Sequence, residues 1–256
     1  MVTKRKSNKR SSKRSNKRSS KQIRTAKSPS ININGVRYNG AGVMLLYQEA
    51  GKNYVILFYD LAYKNPVTNR RGMYSNPGGG VERDHYYLEN TASAELREET
   101  ANYFIVCPHI IATLPYVKVQ NYANGKFRCY LTKVTKFDPE MYTNNVKILK
   151  KSTRTPYCWK ETVAVRKFEV DEIRDAIDDV GGGNNLENVK YITAYAGDGV
   201  AHQITSRTAR CFYEFDKRGY ISEILKEKEI DKQFQSNIIK TDDNTFLSGT
   251  KSLLII

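Results

Sequence analysis

The sequence predicts an α/β fold preceded by a basic N-terminal arm that is expected to be disordered. Three observations predict it. Residues 1–28 contain twelve Lys or Arg and no acid. From Ile33 onward, apolar runs of strand length alternate with turn signals. Among them, Leu88 to Ala101 has the spacing of a helix and carries an acidic face.

The arm explains the charge. The formal net charge is +15, yet beyond the arm 30 bases and 27 acids nearly cancel. "SNKRSSKR" from Ser7 returns at a period of eight as "SNKRSSK" from Ser15, and no apolar residue lies between Val2 and Ile23. Such a segment cannot offset its own ordering entropy. Two roles stay open for it: a solubilising or nuclear-import arm, or nonspecific attachment of residues 4–27 to RNA or DNA phosphates. No aromatic interleaves the charges, which excludes base stacking by the arm.

The expected division is an arm at 1–31, a folded domain at 32–230 and a C-terminal tail at 231–256 whose "LLII" has no obvious place. Cys107, Cys129, Cys158 and Cys211 form no CxxC pair, so neither a zinc site nor a disulfide scaffold is indicated. No segment approaches the ~20 apolar residues of a membrane span, and the N-terminus lacks the apolar stretch of a signal peptide. An intracellular protein, cytoplasmic or nuclear and not secreted, is expected. Abundant Lys, Asn, Ile and Tyr hint weakly at an AT-rich genome, such as that of a large virus.

Within the domain, "GAGVMLLYQE" and "NYVILFYDL" read as a hairpin across "AGKN", and "GMYSN" as a short third strand running into Pro77. After the helix, "YFIV", "HIIATL" and "YVKVQNY" read as extended, and Asn124-Gly125 marks a hairpin into "KFRCYLTKV". A long polar connection is expected from Asp138 to Arg154. "ETVAVRKFEV" reads as a strand, with Asp171 capping the helix "EIRDAI", and "GGGNN" as a loop. "HQITSRTARCFYEF" reads as helical. His109 is expected in a strand or loop and His202 near a helix start. Tyr116 and Tyr122 flank the hairpin strand, either packing on the sheet or stacking on a base.

The segment "PGGGVERDHYYLENTASAELREET" carries the chemistry. At helical geometry, Glu95, Glu98 and Glu99 fall within an arc of about 100°, beside the core-facing Ala92 and Leu96. Like charges so placed destabilise a helix. A hard divalent cation, which takes carboxylates, waters and phosphate oxygens, would turn that cluster into a site. Gly78, Gly79 and Gly80 let backbone approach a phosphate or metal closely.

Together these residues resemble the Nudix box of the Nudix hydrolases, and the resemblance covers roughly residues 33–225. The family pattern runs glycine, five residues, Glu, seven residues, then Arg-Glu-aliphatic-x-Glu-Glu-x-Gly. Glu95, Leu96, Glu98 and Glu99 fall on its second part, and Pro77 to Glu82 on the approach to its first. Ala94 stands where the pattern has Arg, Ala101 where it has the closing Gly, and His85 where it has the first Glu, with Glu89 the nearest substitute. These departures concern residues that in the family brace the loop and helix.

The resemblance implies an α/β/α sandwich with a mixed sheet. It implies a Mg²⁺- or Mn²⁺-dependent hydrolase that cleaves a pyrophosphate linkage in a nucleoside diphosphate derivative. Small nucleotides, dinucleoside polyphosphates and capped RNA, hence decapping, all remain open as substrates. It assigns Glu98 and Glu99 as principal metal ligands and Glu95 as ligand or water-orienting group. Gly78, Gly79 and Gly80 become phosphate-binding backbone, with the carbonyl of Gly78 or Gly79 a further candidate ligand. Glu161 is the candidate general base, with Glu82 second. A nucleotide- or RNA-binding module with a catalytically degenerate box is the alternative.

Overall fold

Side-chain alternation along two central strands builds both sides of the molecule. The computed structural model describes residues 29–226 apart from 66, 122–124 and 154. The arm at 1–28, Tyr122, Asn124 and the tail from 227 lie outside the described residues. The first strands are β1 (Ile31–Ile33), β2 (Val36–Glu49), β3 (Lys52–Lys64), β4 (Arg71–Ser75) and the glycine strand β5 (Gly78–Gly80). Helices α1 (Leu88–Glu99) and α2 (Pro108–Ile111) follow, then β6 (Tyr116–Gln120), β7 (Lys126–Val134) and α3 (Pro139–Lys151). The remainder is β8 (Thr162–Glu169), α4 (Val170–Asp178), β9 (Tyr191–Tyr195), β10 (Ala201–Thr205), α5 (Ser206–Lys217) and α6 (Tyr220–Lys226).

The sheet runs β6-β7-β2-β3-β4-β10-β9, with β1 and β5 also on β2 and β8 also on β3. It is mixed, because β2 pairs parallel with β7 and β4 parallel with β10 while the other pairs are antiparallel. Val43, Leu45, Ile56 and Phe58 point to one face, where Leu88, Ala92 and Leu96 of α1 and Tyr142, Val146 and Leu149 of α3 cover them. Met44, Leu46, Val55 and Leu57 point to the other, against Ile173 and Ile177 of α4 and Phe212 and Phe215 of α5. Strands buried on both faces read as continuous apolar runs, as "VMLL" and "VILF" do. The architecture is an α/β/α sandwich with a mixed sheet, as expected from the sequence.

Most local expectations hold, and the exceptions have identifiable causes. Asn34-Gly35, with φ of 50° and 76°, makes an Asn-Gly hairpin between β1 and β2. The β2–β3 turn is the expected one, with Ala50 and Gly51 both at positive φ. The polar stretch after Asp138 is not a connection but α3. Asp138 caps it by accepting from Glu140 N at 2.8 Å and Met141 N at 3.1 Å, Pro139 opens the first turn, and Tyr142, Val146 and Leu149 form a narrow buried stripe. Part of "HIIATL" is the short α2 rather than a strand, started by Pro108.

In α4, Glu169 rather than Asp171 is the cap, through a reciprocal box with Glu172 whose carboxylate accepts Glu169 N at 2.8 Å. "HQIT" is strand β10, and only from Ser206 does the chain turn helical. Ile204 is therefore buried in the sheet beside Tyr74 of β4. The "GGGNN" loop contains a single 3₁₀ turn at Gly183–Asn185. Among the described residues, no helix is long and apolar enough to cross a membrane.

Candidate active site

The site lies where α1 crosses the glycine strand. β5 pairs antiparallel with β2 in the register Gly40↔Gly80, Ala41↔Gly79 and Gly42↔Gly78. A Cβ on Gly42 would lie 2.2 Å from the Pro77 carbonyl oxygen and 2.7 Å from Gly78 Cα, so the strands meet only because that residue has no side chain. A Cβ on Gly79 would lie 2.1 Å from Glu95 Oε1, so the Glu95 carboxyl rests directly over the glycine backbone. Gly80 differs, since its nearest neighbour would be Asn39 O at 3.9 Å.

Backbone direction sorts the glycines further. Val43 N donates to Pro77 O and Val81 N to Asn39 O, so alternation turns Gly78 and Gly80 away from β2. Gly78 N donates to Glu99 Oε2 at 3.1 Å and Gly78 O accepts from Arg207 Nη2 at 2.8 Å. Both backbone groups of Gly78 are thus engaged by protein. Gly80 presents its N–H and C=O along the same edge.

Glu95, Glu98 and Glu99 of α1 belong to a set of carboxylates wider than the helix. Burial first, then the Glu98 charge, pushes the Glu95 carboxyl up to about 8; Glu82 and Glu161 add to the effect and Arg207 opposes it. Glu99 is buried, and that burial, followed by Glu95 and Asp60, holds its carboxyl well above the usual range despite Arg207 and the Gly78 amide. Glu161 is raised by burial, then by Asp60 and Glu98, with Arg71 opposing. Asp60 of β3 is raised by burial, although Ala62 N donates to its Oδ1 at 2.7 Å and Arg207 lies near. The structure thus brings Glu95, Glu98, Glu99, Glu161 and Glu82 into one electrostatic neighbourhood and adds Asp60 and Arg207.

These shifts carry a stability consequence for the metal-free protein. Between the ordinary carboxylate range and about pH 8, folded Glu95 keeps a proton that the unfolded chain has released. Rising pH through that window therefore favours unfolding. The melting temperature in chelator should fall from pH 5 to pH 8.5, and Glu95→Gln should flatten the fall; an equal slope in that variant would refute the assignment.

The positions that depart from the family pattern have their own structural accounts. Ala101, in place of the closing glycine, has φ 54°, and the next residue, Asn102, has φ 58°. Left-handed backbone costs roughly 1–2 kcal/mol for a residue with a side chain. Here Asn102 Oδ1 accepts from Arg97 Nε at 2.9 Å and Ala101 O accepts from Asn145 Nδ2 of α3 at 3.3 Å.

His85 Nδ1 lies 3.1 Å from Thr91 Oγ1 and accepts from Glu82 N at 3.3 Å, and with Glu82 and Asp84 it forms a mostly exposed ligand-type cluster. Glu89 turns to β7, accepting from Tyr130 Oη at 2.6 Å, with Arg128 Nη1 at 3.5 Å. Tyr116 is 40% exposed and covers Arg128, whose Cζ is 4.3 Å from the ring centroid. His202 lies on β10 edge-on to Tyr74, and His109 in α2.

Asp60 and Arg207 escaped sequence reasoning. Asp60 ends an apolar run and gives no pattern, and Arg207 sits in a helix distant in sequence from the box. The one available signal is a charge in the first turn of a helix, followed directly by the buried Thr208 and Ala209.

Neither a family model nor a curated protein matches the chain. Among solved structures it is similar to the Ap4A hydrolase of C. elegans, at 15% identity over 70% of this chain and 98% of that one, with a TM-score of 0.35. It is also similar to the NUDIX domain of Shewanella oneidensis NrtR, crystallised with ADP ribose, at 16% identity over 54% and 76% with a TM-score of 0.35. T. brucei MERS1 in complex with RNA is 14% identical over 56% of this chain and 55% of that one, with a TM-score of 0.36.

Proposed function

We propose that the chain is a Mg²⁺- or Mn²⁺-dependent hydrolase of a pyrophosphate linkage in a nucleoside diphosphate derivative or capped RNA. The observation that supports this is the carboxylate set of Glu95, Glu98, Glu99, Asp60 and Glu161, in which Glu99 and Asp60 are buried and the other three half-buried, with Glu95 over Gly79 and Glu99 on the Gly78 amide. Without a cation, burial and mutual repulsion hold several of these groups in raised-pKa states. An all-oxygen, like-charged donor set suits a small hard cation. Glu95, Glu98 and Glu99 would hold it. Bound there, it would lower the pKa of a water and neutralise charge on the phosphates.

The chain's own residues have separable tasks. Glu161 takes the proton of the attacking water on a carboxylate oxygen, and its raised pKa brings it toward the operating range of a general base. The water oxygen forms a bond to phosphorus, the bridging P–O bond breaks, and the departing phosphate keeps the electron pair. Gly80, whose backbone faces away from β2, offers an N–H to a phosphate oxygen, and Gly78 fixes Glu99. Tyr116 offers an exposed ring at the rim. Among substrates with this linkage, the cationic residues 4–27 favour an RNA-linked one, because a tethered polycation concentrates polyanions.

Millimolar Mg²⁺ or Mn²⁺ should raise the melting temperature, by the equivalent of about 2.7 kcal/mol at a hundredfold excess over the dissociation constant. A panel of nucleoside diphosphate derivatives and capped RNA should then yield phosphate-terminated products with at least one member. No thermal shift and no product from any member would leave the binding module as the reading.

A further inference from the structure

Arg207 stands in the first turn of α5, and the start of that helix is fastened to the strand that leads into the glycines. Thr208 Oγ1 donates to Asn76 Oδ1 at 2.9 Å and accepts from Asn76 N at 3.1 Å, and Thr205 caps the helix. From this anchored turn the guanidinium lies over Phe127, its Cζ 4.4 Å from the ring centroid, and Nη2 donates to Gly78 O at 2.8 Å. Phe127 is also the wall behind Gly78, where an added Cβ would meet its Cζ at 2.7 Å. Arg207 therefore grips the carbonyl of the residue whose amide grips Glu99. Its Nε is buried without a hydrogen-bond partner among the described residues, and its charge acts on Glu95, Glu99 and Asp60.

We propose that Arg207 is a positioning residue, which sets the glycine strand against α1 and so the orientation of Glu99 and Glu95, although it touches no reacting atom. Its catalytic consequence rests on the hydrolase reading, and its structural one does not. A planar guanidinium can stack on Phe127 and hydrogen-bond in its own plane at once; a lysine keeps charge and a donor but loses the stack.

The test compares Arg207→Met, Arg207→Lys and, as control, Arg174→Met, which cuts a different α5 tether by removing the Arg174 bonds to Asp216 at 2.6 and 3.0 Å. Exchange of the Gly78 amide is followed by NMR in metal-free, chelator-treated full chain. Arg207→Met should speed it about tenfold and Arg207→Lys about threefold, with Arg174→Met within about twofold of wild type. On a hydrolysed nucleoside diphosphate derivative, kcat should fall about a hundredfold in Arg207→Met while KM moves less than about threefold, and Arg207→Lys should recover part of the loss.

Unchanged Gly78 exchange in Arg207→Met, or equal acceleration in Arg174→Met, overturns the proposal. Should Arg207→Met fail to fold, exchange at the wild-type rate in Arg207→Lys overturns it. Faster exchange in a wild-type background that hydrolyses nothing removes the hydrolase reading and leaves the positioning role. Hydrolysis by wild type with unchanged kcat in both Arg207 variants removes the positioning role alone.

Discussion

Glu98→Gln should reduce hydrolysis by several orders of magnitude without weakening the metal-free fold. The substitution keeps side-chain size and nearly the same helix propensity while removing one negative oxygen. Glu98 raises the pKa of both Glu95 and Glu161, so its charge is felt across the site. Deleting that charge relieves repulsion in the metal-free protein, and its melting temperature should stay equal or rise. In the proposed metal-ligand role of Glu98, the same change would remove a ligand, so water activation and phosphate neutralisation would fail together. Glu89→Gln is the informative control, since Glu89 bonds to Tyr130 of β7 and should affect turnover far less. Wild-type turnover by Glu98→Gln at saturating metal would sink the metal-site assignment.

Gly42→Ala should destabilise the fold by about 3 kcal/mol, at the upper end of overpacking costs, because the atoms it meets are backbone. Pro77 O at 2.2 Å and Gly78 Cα at 2.7 Å cannot rotate away as a side chain would. β5 would have to leave β2, taking the Gly78 amide from Glu99 and the Gly78 carbonyl from Arg207. Urea unfolding should show the lost stability. Gly80→Ala, next to open space, should stay within about 0.5 kcal/mol of wild type. If both substitutions prove equally mild, the close approach of β2 and β5 is not what the glycines serve.

What was legible in the sequence is what depends on near neighbours along the chain. The β2–β3 hairpin followed from apolar runs around a turn, and the acidic face of α1 from residues three and four apart. Local signals for α3 exist as well: Asp138-Pro139 is a helix start, and Tyr142, Val146 and Leu149 have helical spacing, but abundant Lys and Asn give the segment the composition of a polar connection. In β10, Ile204 precedes a true helix so closely that the strand was absorbed into it.

The sequence alone determined a strand–glycine–helix unit with three glutamates on one helical face, because helix and strand periodicity are properties of the covalent chain. Only the tertiary structure decided which charges those glutamates meet. Asp60 arrives from β3, Glu161 from the approach to β8 and Arg207 from α5, and nothing in their sequence spacing relates them to α1. Coulomb energy and desolvation depend on distance and on exclusion of water, and both are set by packing. For the same reason Gly78 and Gly80, identical as letters, differ in the fold: one holds a glutamate and an arginine, and the other has open space beside it.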